Sequence, residues 1–178
     1  MTITFVVSVS KSKTHRVGWA VKPRFQITLH KKDKVLLEMI KASFKGVGKI
    51  YQNGSAIYYQ VISLKDFLVI IEHFDKYPLL TQKQADFLFF KSIVGRIERG
   101  EHLTSEGLRK IVTIRASINK GLSEKLKAAF PEITSGAIPN IELPEKIDPN
   151  WLAGFTEGKA VFLLLSINLR LKLALQLI

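Results

Sequence analysis

The side chains best suited to chemistry in this sequence are polar groups that recur at every second position in two segments near its start. The two sets are Ser8, Ser10 and Ser12, and Arg24, Gln26 and Thr28. Hydroxyl, guanidinium and amide groups at this spacing fall on one face of a β-strand, where they can hydrogen-bond to base edges in the major groove. A solvated outer face of a sheet has the same pattern, so both interpretations stand at this point.

Further polar residues extend this predicted surface, although alternation does not fix their faces: Lys49, Tyr51, Asn53, Ser55, Tyr58 and Gln60. Basic residues beside the strands are candidates for binding phosphates, a contact that depends on salt but not on base sequence. They are Lys11, Lys13, Arg16, Lys31 and Lys32. The chain carries 27 Lys and Arg against 15 Asp and Glu, a net charge of +12. This excess favours a polyanionic partner, and nucleic acid ahead of an anionic membrane surface.

Other chemistries find little support in the residue types. The chain has no cysteine, which excludes disulfides and thiolate metal sites, and its four histidines show no paired metal-ligand spacing. It has no glycine-rich phosphate loop and no nucleophile elbow. The run Val161–Ile178 approaches the length of a membrane span, but Asn168, Arg170 and Lys172 interrupt it, so we predict no span.

Hydrophobic periodicity predicts the elements that position these residues. In chain order we predict strands at Ile3–Lys11 and Arg24–His30, a helix at Lys34–Phe44, strands at Gly46–Tyr51 and Ala56–Ser63 joined around Asn53-Gly54, and helices at Leu64–His73, Thr81–Gly100, Ser105–Ile118 and Glu124–Phe130. The predicted helix at Lys34–Phe44 has an apolar stripe of Leu36, Leu37, Ile40 and Phe44. This order predicts an α+β fold with a four-stranded antiparallel sheet backed by helices.

A second segment with distinctive spacing is Pro149–Phe162. Gly154 and Gly158 lie one helical turn apart, so they share a face and would let two helices approach closely. An ordinary buried helix start with incidental glycines has the same spacing. Pro131–Lys146, which contains three prolines and a glycine, is a predicted linker in front of this segment.

The run Leu152–Ala160 resembles the motif after which the LAGLIDADG homing endonucleases are named. Other stretches resemble the same family, particularly the members encoded within organellar introns. In chain order they are PRFQITLHKKD (Pro23–Asp33), HFDKYPLLTQKQADF (His73–Phe87), EHLTSEGLRKIVTIRASINKGLS (Glu101–Ser123) and LPEKIDPNWLAGFT (Leu143–Thr156). The resemblance covers most of the chain, from residue 3 to residue 162.

This resemblance implies a saddle-shaped sheet along the major groove of double-stranded DNA, and site-specific cleavage of both strands during intron mobility. It implies a first half-domain at residues 1–130 that lacks its N-terminal motif helix, a linker at 131–146, and a truncated second half-domain at 147–178 that begins with the second motif helix. It also implies an organellar, mitochondrial setting. Association between chains through the helix at 152–160 is a further expectation.

In this family each of two motif helices supplies a carboxylate that holds a divalent cation such as Mg²⁺. The matching position here is Lys159, and a charged ammonium cannot ligate a cation. We expect the first motif helix before Ile3, where the sequence opens, so both acids are missing from their expected positions. We therefore expect no bound metal and a deficiency in cleavage.

Two residues match positions that assist the chemistry in the family. Gln26 would help to organise the attacking water, and Lys83 would supply a cation to the transition state. A DNA-facing polar residue and a helix-surface lysine are the alternative interpretations of the two. Three functions stay open: a DNA-cleaving enzyme, a non-cleaving module that binds DNA or structured intron RNA as maturase relatives do, and a decayed fragment with exposed apolar surface.

Overall fold

The computed structural model describes residues 2–79, 83–118 and 121–134. The strands are β1 (Thr2–Lys11), β2 (Trp19–His30), β3 (Lys49–Asn53) and β4 (Ala56–Val61), in the sheet order β1-β2-β4-β3 with antiparallel neighbours. The helices are α1 (Lys34–Ser43), α2 (Leu64–Lys76), α3 (Lys83–Glu98), α4 (Ser105–Ala116) and α5 (Glu124–Ala129), with 3₁₀ turns at Lys31–Asp33 and Glu101–Leu103. The predicted α+β class and four-stranded antiparallel sheet are confirmed.

The chain divides into two compact units, Met1–Ile141 and Glu142–Ile178. The second unit lies outside the described residues, as do Gly154, Gly158 and Lys159. The predicted half-domain boundaries and the helix at 152–160 therefore stay predictions. No helix within the described ranges is long and apolar enough to cross a membrane.

The starts of β2 and β3 differ from those predicted by more than two residues, while the ends of β3 and β4 differ by two residues each and the start of β1 by one. β2 begins at Trp19 rather than at Arg24, and it passes through Pro23. Proline is tolerated there because β4 ends opposite Phe25, so no β4 residue pairs with Pro23. β3 begins at Lys49 rather than at Gly46 because Gly46 and Gly48 have φ angles of +72° and +77°, outside the strand region.

Both hairpins end in turns that use a glycine. In the β1–β2 loop the Ser12 amide donates to the Gly18 carbonyl at 2.8 Å, and Gly18 has φ +74°. In the β3–β4 hairpin Asn53 pairs with Ala56 across the two-residue turn Gly54-Ser55, with φ +59° at Gly54. These turns set the register of the strands, and a shift by one residue would move every side chain to the opposite face.

The core lies on one face of the sheet, under α2 and α3. Phe5 is at its centre, with ring centroids 5.3 Å from Phe25, 5.6 Å from Phe87 and 5.4 Å from Phe90. Each such aromatic pair contributes about 0.5–1.5 kcal/mol beyond the burial of area. Because alternate residues of β1, β2 and β4 enter this core, the intervening residues are directed to the opposite face.

A smaller cluster supports the far end of the β1–β2 hairpin. Leu122, Leu126 and Phe130 from the α5 region pack there with buried residues of α4, and Trp19 lies with its ring centroid 5.3 Å from that of Phe130. The hairpin therefore has apolar support even where it extends beyond β4.

The apolar stripe predicted for α1 is correct in part. Leu37 and Phe44 are buried and Ile40 is half-buried, but Leu36 is 48% exposed. The helix packs against β2 and β4 through a narrow side, and Leu37 is its one buried residue. Leu36 is therefore outside the core.

Two helical glycines give a matched test of packing. A Cβ added to Gly107 in α4 would lie 2.0 Å from the Glu101 carbonyl oxygen, whereas one added to Gly95 in α3 meets only the Arg99 Nη1 at 3.4 Å. We expect Gly107→Ala to lower the free energy of unfolding by about 1–3 kcal/mol, as overpacking does. We expect Gly95→Ala to raise it by about 0.5–1 kcal/mol through helix propensity. Urea denaturation followed by circular dichroism measures both, and equal effects would contradict the packing.

Candidate nucleic-acid interface

The outer face of the sheet, opposite the core, collects polar side chains from all four strands. Strand register places Thr4, Gln26, Gln60 and Lys49 in one row across the sheet. A neighbouring row contains Thr28, Tyr58 and Tyr51. We call this surface the outer face, and its remaining predicted members on alternate positions are Ser8, Ser10, Arg24 and Asn53.

Other predicted residues lie at a strand end or in the loops and turns between elements instead. Lys11 pairs with Trp19 at the end of β1, and its alternation places it opposite the outer face, although it is exposed. Ser12 and Lys13 lie in the β1–β2 loop, where Ser12 Oγ is 2.8 Å from His15 Nδ1. Lys31 and Lys32 lie in the 3₁₀ turn after β2, and both are exposed.

The earlier start of β2 adds a residue that sequence reasoning missed. Lys22 is exposed and stands opposite Ser8 on the outer face. Alternation from Lys22 through Arg24 to Gln26 was the available signal, but the predicted strand began after Pro23. Thr4 also faces outward, opposite Gln26, and its hydroxyl donates to the Gln26 carbonyl at 3.3 Å.

Hydrogen bonds connect the centre of the outer face. Gln60 Nε2 donates to Gln26 Oε1 at 3.4 Å, and Gln26 Nε2 donates to Thr28 Oγ1 at 3.1 Å. All three residues are half-buried. Beside them the Tyr51 and Tyr58 rings stack across β3 and β4, with centroids 5.0 Å apart and planes 12° from parallel. These contacts hold side chains in defined positions before any ligand arrives.

Acidic residues are segregated from this surface. Residues 2–32 contain seven lysines and arginines and no Asp or Glu, and residues 39–65 also contain no acid. The ion pairs within the described ranges use carboxylates of helices and their connections: Lys34–Glu38, Lys45–Glu72, Lys83–Asp86, Lys91–Asp75, Arg96–Glu101, Arg99–Glu101, Arg109–Glu132, Lys110–Glu106 and Lys127–Glu124. The cations of the strands and the β1–β2 loop form no ion pair with any described residue. The sheet side therefore has a positive potential that no local acid offsets.

Lys83 lies apart from the outer face, at the start of α3. Its Nζ is 2.8 Å from Asp86 Oδ2, and Asp86 is the buried charged residue of the described core at 8% exposure. Burial lowers the pKa of Arg115 on α4, and the Asp86 carboxylate opposes that shift. Asp86 is therefore electrostatically coupled to cations on two helices. The predicted transition-state role of Lys83 stays a prediction.

Arg115 fastens β1 to the helical layer. Its Nε donates to the Val7 carbonyl at 2.7 Å, while its Nη1 donates to the carbonyls of Ile118 at 3.0 Å and Gly121 at 2.9 Å. The residue opposite Val7 is Pro23, which has no backbone N–H. The guanidinium therefore supplies a hydrogen bond that this neighbour in β2 cannot supply.

The described residues do not fit a metal site. Within them no three His, Asp or Glu side chains come together in a group that could hold a cation. The position where the sequence pattern expects a ligand, Lys159, lies outside those residues. We derive no metal-dependent step for this part of the chain.

Comparison with known proteins agrees with the family resemblance seen in the sequence. Residues 4–94 match the family model described as LAGLIDADG endonuclease. The chain is 38% identical over 162 residues to "Probable intron-encoded endonuclease 3" of Neurospora crassa, covering 89% of this chain and 30% of that protein. It is 36% identical over 174 residues to "Probable intron-encoded endonuclease 2" of the same fungus, covering 38% of that protein. The chain thus spans about a third of these relatives.

Solved structures resemble the fold and much of the sequence. The meganuclease I-SmaMI bound to uncleaveable DNA has a TM-score of 0.84 at 44% identity, covering 88% of this chain and 54% of that chain. The homing endonuclease I-GzeII in complex with its DNA target has a TM-score of 0.80 at 44% identity, with the same coverage.

Arg115 and Arg109, both on α4, allow a matched test of the β1 anchor. Arg115→Lys removes the planar guanidinium that reaches three carbonyls, so we expect the free energy of unfolding to fall by about 1–3 kcal/mol. Arg109→Lys changes only an exposed pair with Glu132 and should stay within about 0.5 kcal/mol. Urea denaturation gives both values. A loss at Arg109 as large as that at Arg115 would show that the anchor contributes nothing specific.

Proposed function

The chain belongs to the LAGLIDADG endonuclease family, and we propose that its outer face binds the major groove of double-stranded DNA. The observation that carries this proposal is the segregation of charge and polarity. Hydrogen-bonding side chains cover one face of the sheet, cations surround it, and residues 2–32 contain no acid. A surface for a neutral or cationic partner would not need this separation.

The spacing of the outer face suits a duplex. Alternate residues on one strand are about 6.6–6.8 Å apart, which is close to twice the 3.4 Å rise per base pair. Side chains on adjacent strands are about 4.7–4.9 Å apart. Residues two apart on one strand can therefore address base pairs two steps apart, while Lys13, Arg16, Lys31 and Lys32 contact phosphates on either side.

Cleavage is a separate question, because the chain spans only part of its relatives. Members of this family use divalent metal ions. We propose that this chain alone binds DNA without cutting it, because Lys159 occupies the position where the family motif has a metal-binding acid. In this proposal Gln26 is part of the binding surface, and Lys83, paired with Asp86, serves α3 rather than a reaction.

The names of the relatives bear on the cellular setting of this chain. Their names describe intron-encoded endonucleases, which supports an organellar origin, and we propose the mitochondrion.

Binding to intron RNA is the alternative to DNA. A competitor A-form RNA helix distinguishes the two because its deep, narrow major groove does not admit a β-ribbon.

Charge reversal tests the binding surface. We expect the triple variant Arg24→Glu, Lys31→Glu and Lys32→Glu to weaken duplex binding strongly, and to lower the slope of log K against log salt by up to about three. Fluorescence anisotropy of a labelled duplex at several salt concentrations measures both quantities.

The control for this experiment has the same change in net charge on the helical side. It is the triple variant Lys110→Glu, Lys125→Glu and Lys127→Glu, at exposed positions on α4 and α5. We expect only the small loss due to net charge. If both triple variants lose affinity equally, or if neither does, the outer face is not the binding surface.

Plasmid nicking tests the proposed absence of cleavage. With Mg²⁺ present and duplex binding verified, we expect supercoiled plasmid carrying a bound target to stay intact. Cleavage by the wild-type chain that is abolished by Gln26→Ala or Lys83→Ala would contradict our proposal and restore the catalytic roles of these two residues.

A further inference from the structure

We infer that Gln60 reads an adenine in the major groove and that Gln26 is its positioning residue. The inference rests on the proposed binding of duplex DNA by the outer face, and it assigns one base to one side chain. It follows from the hydrogen-bonding groups of the Gln60 side chain. One of them is already bonded within the protein, and the others are available to a ligand.

Gln60 occupies a central place on this surface. It lies on β4 between Gln26 of β2 and Lys49 of β3, both directly opposite it in register. It also lines a depression of about 500 Å³ together with Ser8, Lys22 and Arg24. A base edge that approaches Gln60 therefore meets cations on both sides, which can hold the adjacent phosphates.

The Gln60 side chain has one acceptor and one donor that form no hydrogen bond with the described residues. One N–H of its Nε2 is directed to Gln26 Oε1 at 3.4 Å. Within the described residues its Oε1 and its second N–H have no protein partner. An amide oxygen and one amide N–H are together the groups with which a glutamine forms two parallel hydrogen bonds to a base.

Adenine is the base whose major-groove edge matches this pair. Its N6 amino group donates and its N7 accepts, so Gln60 Oε1 and Nε2 can satisfy both together. Guanine offers two acceptors, which leaves the Gln60 oxygen facing another acceptor. Cytosine offers a donor alone, and thymine offers an acceptor beside a methyl group. A single glutamine thus distinguishes adenine from the other three bases at this position.

Gln26 acts through Gln60. Its Oε1 accepts from Gln60, and its own Nε2 donates to Thr28 Oγ1 at 3.1 Å, so the amide is held from both sides. A free glutamine side chain loses rotamer freedom when it binds a base, and this network removes part of that freedom in advance. Gln26 therefore sharpens the preference for adenine without contacting that base.

Selection from duplexes with a randomised central segment tests the inference, since no target sequence is needed beforehand. Bound and unbound pools are sequenced for the full 178-residue chain and for each variant. We expect one position of the wild-type target to favour adenine, and Gln60→Ala to reduce that preference by roughly 10- to 100-fold. Gln60→Glu should convert the preference at this position to cytosine, whose N4 amino group donates to a carboxylate.

The positioning role has its own variants. Gln26→Ala should weaken the adenine preference at the same position, and Gln26→Glu should restore part of it, because a carboxylate oxygen can still accept from Gln60. Gln52→Ala is the matched control: this glutamine lies on β3 opposite buried Ile57, so it faces away from the outer face. We expect it to change no position. Thermal melting confirms that each variant is folded.

The outcomes separate the inference from the function on which it rests. If the wild-type chain retains no duplex at all, both the proposed function and this assignment fail. If it retains duplexes without enriching any sequence, DNA binding stands and this assignment fails. If it enriches duplexes but Gln60→Ala leaves every position unchanged, DNA binding stands and only the assignment to Gln60 is overturned. If Gln26→Ala and Gln26→Glu behave alike, Gln26 does not act through its oxygen.

Discussion

The two-residue period of the β-strands is the constraint on which this molecule depends. Phe5, Phe25 and Tyr59 enter the aromatic core because their strands pair in one register, and the same register gathers Gln26, Gln60 and Lys49 on the opposite face. A core cluster of this size tolerates no slip, since a shift of one residue would bury amides and expose rings. The packing of one face therefore determines the chemistry of the other.

Charge follows the same division into two layers. The helices carry acidic residues that pair with their own lysines and arginines, and these exposed pairs contribute little to stability individually. Their larger effect is to offset much of the positive charge on the helical side, whereas the six cations of the strands and the β1–β2 loop have no acid among the residues of those segments. An extended anion is attracted to one side of the protein before any specific contact forms.

Much of this fold could be predicted from the sequence, because its helices have strong apolar periodicity and its strands alternate. The predicted starts of α1, α2, α4 and α5 agree with the structure. The start of β2 was missed because Lys22 and Pro23 do not look like strand residues in isolation. Contacts between distant positions could not be predicted either: the Gln26–Gln60 pair requires the strand order, and the Arg115–Val7 bond joins residues 108 apart. The polar outer face could be predicted from strand alternation, whereas the hydrogen bonds between its side chains could not.

The bond from Arg115 to Val7 also bears on how the chain assembles. β1 is synthesised before α4, and its hairpin with β2 needs only local sequence. The carbonyl at Val7 obtains its guanidinium partner only after α4 has been synthesised and has docked, which closes a loop of 108 residues. Closing so long a loop carries a high entropic cost, so this contact belongs to the late stages of folding. During translation β1 therefore gains its hydrogen bond from Arg115 only after α4 has folded onto the sheet.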